Sequence, residues 1–265
     1  EFSELANLEL VAPVTTPCRV IAQMTNYVSH VTDVGLDPAG IPLTFFRKSS
    51  ASITGPHDDI VKPAHVRLLD YEVEIGFVLG VDLPAGSEVS EVDLPTLVRA
   101  LVLTNDVSAR DVQLVKSQFY EAKSYPTFTP TGPVLAILEP GDFERFEDLQ
   151  LRLWVDGDLR QDMPASDMIY PPLEALKTLT QFQDLNAGDL IMTGTPVGTA
   201  LQAPPKPIEI IGSLLPTAIK WKLFFKGQAR NPRYLSEGNL VEASIATADG
   251  AIDLGVQKNR VIFRR

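Results

Sequence analysis

Between positions 70 and 80 the chain reads D-Y-E-V-E-I-G-F-V-L-G. Alternation puts Asp70, Glu72, Glu74, Gly76, Val78 and Gly80 on one face of a predicted strand, with Tyr71, Val73, Ile75, Phe77 and Leu79 on the other. The second face is wholly apolar. The first begins acidic and turns small and apolar, which suits carboxylates at the mouth of a pocket better than a strand solvated along its length.

Around this strand, residues 9–24 read as one or two strands. Residues 25–44, carrying Gly35, Pro38, Gly40 and Pro42, form a loop-rich stretch suited to a mobile lid. From 45 to 63 loop alternates with short strand. The stretch from Val89 to Ala100 is expected as an amphipathic helix capped by Ser90 or Asp93. L-V-L-T-N is a strand that delivers Asp106, S-A-R-D-V-Q-L-V-K a short helix, and G-P-V-L-A-I-L another apolar strand. L-Q-L-R-L-W-V-D-G-D-L-R-Q reads as a hairpin turning at D-G, and P-L-E-A-L-K-T-L-T-Q-F as a helix apolar at Leu173, Leu176 and Leu179. A-G-D-L-I-M-T-G-T-P-V-G gives a turn, a strand and a glycine-rich loop, and Trp221 to Phe263 reads as strands. The sum is a β-rich α+β chain with a few helices and none of the regular βα alternation of a doubly wound sheet.

Composition narrows the function classes. A chain of 265 residues with 45% hydrophobic content can bury a substantial core. We expect an N-terminal segment with the lid over 1–66 and a catalytic domain over 67–265. A formal charge of -11 argues against a nucleic-acid surface and against docking on anionic lipid. Cys18 is the single cysteine, so neither an intrachain disulfide nor a thiolate zinc cluster can form. With no signal peptide and no apolar run long enough to span a bilayer, a cytoplasmic location is expected.

The chemistry concentrates in a few segments. Glu72 and Glu74 are hard oxygen donors suited to Mg²⁺ or Mn²⁺. Asp106, at the end of an apolar strand, is either a third ligand or the cap of the helix that follows. His30 has Asp33 one helical turn away, so it is either a carboxylate-oriented base or an ordinary surface histidine. Lys123, set among aromatic residues and prolines, and Lys48 in F-F-R-K-S-S, are either anion-binding cations or surface lysines. T-G-T-P-V-G presents Thr193, Thr195 and backbone N–H groups, as an anion-binding loop or as a plain turn, and it matches neither a Walker A loop nor a dinucleotide fingerprint.

Five blocks in order connect these segments. They are N-Y-V-S-H at 26–30, F-R-K-S-S and the following G-P at 46–56, D-Y-E-V-E-I-G with N-D-V-S-A-R-D-V-Q at 70–113, K-S-Y-P-T-F-T-P-T-G-P at 123–133, and G-D-L-I-M-T-G-T-P-V-G at 188–198. Together they resemble the fumarylacetoacetate hydrolase family from about Leu10 to Val261. The resemblance implies a mixed β-roll or distorted barrel, a homodimer, and Mg²⁺ or Mn²⁺ on Glu72, Glu74 and Asp106. It also implies His30 with Asp33 as the lid base, and Lys123, Lys48, Gln113 and Thr195 around a small diketo-acid substrate. Three positions depart from the family's pattern: Thr25 stands where an Arg is common, Asp33 where Glu is common, and the stretch from Ala203 to Glu237 is longer than the usual link.

The expected reaction is hydrolysis of a C–C bond in an acylpyruvate or other β-diketo acid by metal chelation and His-activated water. An oxaloacetate decarboxylase, or a related lyase or isomerase on the same site, is the rival. A catalytically silent metal-binding dimer is the reading of another class.

Overall fold

The computed structural model describes residues 9–202 and 215–264. In chain order its strands are β1 (Val20–Met24), β2 (Thr44–Lys48), β3 (Ile53–Thr54), β4 (Ile60–Lys62), β5 (Leu69–Asp70), β6 (Val73–Leu79), β7 (Val98–Asn105) and β8 (Ser108–Ala109). They continue as β9 (Thr129–Pro130), β10 (Ala136–Ile137), β11 (Gln150–Val155), β12 (Asp158–Pro164), β13 (Leu190–Met192), β14 (Leu240–Ala246) and β15 (Asp253–Phe263). The α-helices are α1 (Val28–Asp33), α2 (Leu94–Leu97), α3 (Arg110–Gln113), α4 (Pro172–Leu179) and α5 (Thr217–Gln228). A six-stranded sheet runs β10-β7-β6-β13-β1-β2 and a five-stranded sheet β12-β11-β14-β15-β4, with β3-β9 and β5-β8 as small pairs. This is the expected strand-rich α+β architecture, and among the described residues the sheets do not close into a barrel.

The sequence places β6 at the centre. All its residues are buried, as a strand flanked on both sides by β7 and β13 requires. Val73, Ile75, Phe77 and Leu79 enter one core together with Leu151, Leu153 and Ile245 of the second sheet. Val78 on the opposite face joins Val20, Val102, Leu190 and Met192 in a smaller core. Each large apolar side chain so buried contributes roughly 1.5–3 kcal/mol. Gly76 lies between, where a Cβ would stand 2.8 Å from Leu190 Cδ1 and 2.9 Å from Val102 Cγ1. Only glycine lets the flanking side chains close over β6 there.

The hairpin forms as its pattern predicts. Asp156 (φ 51°) and Gly157 (φ 84°) make the turn between β11 and β12, and Asp156 accepts the Leu240 N–H at 2.7 Å, tying the turn to β14.

Three expectations change. The helix over 89–100 shrinks to a 3₁₀ turn and α2, because Val98 onward is drawn into β7, whose residues are buried except Arg99. The strand read in G-P-V-L-A-I-L is reduced to Ala136–Ile137, at the sheet edge. The segment around Trp221 is helical, not extended. Its W-K-L mimics period two over three residues, but Trp221 stacks on Phe225 one turn on (centroids 5.5 Å, 19°) and Phe225 packs on the core. Of the long link 203–237, residues 203–214 lie outside the described residues. Among the described residues no helix is long and apolar enough to cross a membrane.

Candidate active site

The antiparallel register of β6 and β7 builds the acid cluster. Glu74 faces Thr104, and one step beyond the paired residues Asp106 N–H donates to Glu72 O at 2.8 Å. Residues opposite each other in such a ladder share a face. Glu72, Glu74 and Asp106 therefore converge, with one oxygen of each within 4.8 Å of the others, and all three are buried. The cap alternative for Asp106 drops out: α3 starts after Ala109 without any side-chain cap.

Cations answer the acids unevenly. Lys123 Nζ bridges Glu72 Oε2 at 2.5 Å and Asp106 Oδ2 at 2.6 Å. Lys48, fully buried, pairs with Asp106 Oδ1 from behind and donates to Phe128 O at 2.9 Å. Arg110 pairs with Glu72 Oε1 and with Asp70. Among the described residues no lysine or arginine pairs with Glu74, whose Oε2 accepts the Gly194 N–H at 2.9 Å. Gly194 has φ +81°, and a Cβ there would stand 3.0 Å from Asn26 Cβ, so the close approach of this amide depends on glycine.

The protonation preferences follow. Burial opposes the charge of Glu72, but Arg110 and Lys123 outweigh it and hold the carboxyl well below the usual range. Burial and then the like charges of Asp106 and Glu72 push Glu74 well above it. Lys48 is lowered because burial outweighs its ion pair with Asp106, whereas Lys123, held by two carboxylates, is raised. The cluster thus carries an uncompensated acid at Glu74. Three carboxylate donors, one of them left without a paired cation, fit a hard divalent cation.

The cluster floors a cavity of about 190 Å³. Arg110, Gln113, Lys123, Thr195 and His30 complete its polar lining; Met24, Val34, Leu36, Phe46, Phe119 and Leu201 are among its apolar lining. Thr195 Oγ1 is engaged with Val73 O (2.9 Å) and Gln161 Nε2 (2.8 Å), and Gln113 Oε1 accepts from Arg110 Nη1 at 2.8 Å. Lys48 stands behind Asp106 and not on the cavity wall.

Helix α1 contributes His30. Asn26, at the approach to that helix, donates to Thr193 O (2.8 Å) and Tyr170 O (3.0 Å). Thr25 lines the cavity with φ 56°, a left-handed conformation that costs a β-branched residue energy and recurs at functional sites. His30 Nδ1 is buried with no hydrogen-bond partner, and burial lowers the imidazole's pKa. Asp33 makes no hydrogen bond to His30; it lines a neighbouring cavity with Arg160 and Arg233.

Two contributors escaped the sequence reading. The signal for Arg110 was its place as a basic residue four positions after Asp106, at the start of the short helix. Asp70 shared the acidic face of the strand, but nothing in its spacing distinguished it from a solvated acid.

Comparison with known proteins agrees with this geometry. The sequence model of the fumarylacetoacetate (FAA) hydrolase C-terminal family matches residues 19–262. Oxaloacetate tautomerase YisK of Bacillus subtilis is 38% identical over 209 residues, 76% of this chain and 67% of that protein. The mitochondrial oxaloacetate tautomerase fahd2 of Xenopus laevis is 33% identical over 206 residues, 76% of this chain and 61% of its own. The chain thus spans 61% to 67% of the length of these two relatives. The crystal structure of a probable 2-hydroxyhepta-2,4-diene-1,7-dioate isomerase from Mycobacterium abscessus superposes with a TM-score of 0.74 at 31% identity, over 98% of this chain and 81% of that one. On the span of the family match and the identity to these relatives, the chain belongs to the fumarylacetoacetate hydrolase family.

Proposed function

We propose that this chain is a metal-dependent enzyme that interconverts the keto and enol forms of a small 2-keto acid of the oxaloacetate type. The observation that carries the reading is His30: a half-buried imidazole over the acid cluster, shifted toward its neutral form and bonded to no carboxylate. Enolisation needs one base that takes a proton from carbon and returns it to oxygen. Activation of an attacking water is served best by a base oriented by a second group, which this histidine lacks. The names of the two tautomerase relatives point the same way.

Glu72, Glu74 and Asp106 would hold Mg²⁺ or Mn²⁺, which as a Lewis acid polarises the 2-keto group and makes the adjacent C–H acidic. The chain's own groups do the rest. Lys123 and Arg110 keep their charge and face the oxygens that become negative, while Gln113 is held by Arg110 for a further hydrogen bond. His30 takes the C3 proton as the C2=C3 bond forms, and the resulting imidazolium supplies the proton that completes the enol. Lys48, behind Asp106, sets that carboxylate and does not touch the substrate.

A second reading, hydrolysis of an acylpyruvate C–C bond, draws on the apolar wall of Met24, Val34, Leu36, Phe46, Phe119 and Leu201, which suits an acyl tail. Product analysis by NMR and ultraviolet absorbance separates the two. The metal-loaded protein should speed keto–enol exchange of oxaloacetate without consuming it, and EDTA should abolish the effect. Two acids released from an acylpyruvate, with no effect on oxaloacetate exchange, would replace the first reading by the second. A homodimer belongs to the same proposal, and mass by light scattering tests it.

A further inference from the structure

Asp70 has no part in that chemistry, although it is as deeply buried as any catalytic carboxylate. It ends β5, is 0% exposed, and does not line the cavity. Its Oδ2 accepts Arg110 Nε at 2.8 Å and the Leu201 N–H at 3.1 Å; its Oδ1 accepts the Ala200 N–H at 2.7 Å and the Tyr71 N–H at 2.9 Å. Four N–H donors satisfy both oxygens. One of those donors belongs to a side chain whose other end reaches Glu72 Oε1 and Gln113 Oε1, and another to the backbone of Leu201, which lines the same cavity.

We infer that Asp70 is a positioning residue: it sets the plane of the Arg110 guanidinium and pins the Ala200–Leu201 backbone beside it, so that Glu72 keeps Oε1 for Arg110 and Oε2 beside Lys123 within the acid cluster. The inference rests on reading that cluster as a metal site. The reasoning is geometric. A guanidinium shared between two carboxylates is held in a fixed plane by paired N–H···O contacts. Without Asp70 its charge falls on Glu72 alone, where it competes with a bound cation. Three of its four donors are backbone amides, which serve the fold; the fourth is the group touching Glu72, and that contact ties the carboxylate to the site. Asparagine cannot replace it, because its NH₂ would meet a donor on whichever side it faced.

The test is Mn²⁺ affinity by electron paramagnetic resonance, with the Arg110 Nε–H resonance read in parallel by NMR and assigned by its loss in Arg110→Gln. In Asp70→Asn the affinity should fall about tenfold or more and the resonance should move, with the melting profile reported separately. In an Arg110→Gln background, Asp70→Asn should change Mn²⁺ affinity by less than about twofold, because the route through Arg110 is already gone. Affinity and resonance at wild-type values, or effects that add in full, overturn the inference. Should the wild type bind no Mn²⁺, the metal reading fails on its own, and an unmoved resonance in Asp70→Asn still overturns the positioning role. Asp70→Glu covers the case in which the asparagine variant does not fold: the longer arm should not restore the affinity or the resonance, and full rescue counts against the inference.

Discussion

The two walls of the cavity are built by unlike means. The acid wall hangs on the ladder between β6 and β7, where strand pairing fixes each carboxylate and every acid is buried. The lid wall hangs on a two-turn helix, α1, with one buried residue, Val31, and is anchored through Asn26 at its approach. The comparison teaches that the carboxylates are placed on paired, fully buried strands, and the imidazole on a short helix with a single buried residue. Removing a group from the first wall should therefore cost more than removing one from the second.

The largest loss is expected at Glu74→Gln. A bound divalent ion is worth several kcal/mol of charge stabilisation, so turnover should fall about a thousandfold or more, and EDTA treatment of the wild type should match it, with recovery on adding Mg²⁺ or Mn²⁺. A variant that keeps its metal affinity and its rate would break the acid-wall reading. Lys123→Met comes next. Loss of one preorganised positive group typically costs about 10²–10³ in kcat, and here it also leaves Glu72 and Asp106 facing each other without their shared ammonium. Steady-state kinetics with metal at saturation separates the rate effect from weakened binding.

On the lid, His30→Gln should cost about a hundredfold, the lower range for loss of a general base. A residual rate near that of wild type would move the proton transfer elsewhere. The same histidine predicts a pH profile. Burial holds its pKa below the usual 6.5, and the base must be neutral, so activity rises with pH through a value below 6.5 and levels off above it. An acid limb centred above 6.5, or one unchanged in His30→Gln, would assign that limb to another group.

The acid wall was the part most legible in the sequence. Period-two alternation put Glu72 and Glu74 on one face, and only the partner strand's register was needed to add Asp106. The T-G-T-P loop was legible as a feature but not in its use: Gly194 serves by bringing its amide to Glu74, a contact set by Asn26 and Gln23 from a distant segment. Lys123 stood out as a cation among aromatic residues and prolines and Lys48 as a second candidate, yet whether each faced the cavity or stood behind an acid depended on packing. The strand expected around Trp221 shows the limit of periodicity in a segment whose apolar residues alternate with lysines but pair one helical turn apart. Asp70 was hidden for a different reason. Its partners are the backbone of residues 200 and 201 and the side chain of Arg110, contacts that no local spacing announces.

The smallest effect is expected at Asp33, where the lid is most open to revision. The spacing of His30 and Asp33 suggested an oriented dyad, which requires the carboxylate to accept a hydrogen bond from the imidazole. Here Asp33 ends α1 and lines the neighbouring cavity with Arg160 and Arg233. It acts on His30 only through its charge, and behind burial, Glu72 and Arg110 in strength. Charge felt without a hydrogen bond near a protein surface is weakened by solvent and salt. Asp33→Asn should therefore change kcat less than about threefold, far below the cost of losing a base. If kcat for keto–enol exchange instead falls as far as in His30→Gln, and the double variant falls no further than either, the two residues act as one unit. The lid would then close in turnover to a geometry in which Asp33 turns to the imidazole, and water activation, with the hydrolytic reading it serves, would become the better account of the site.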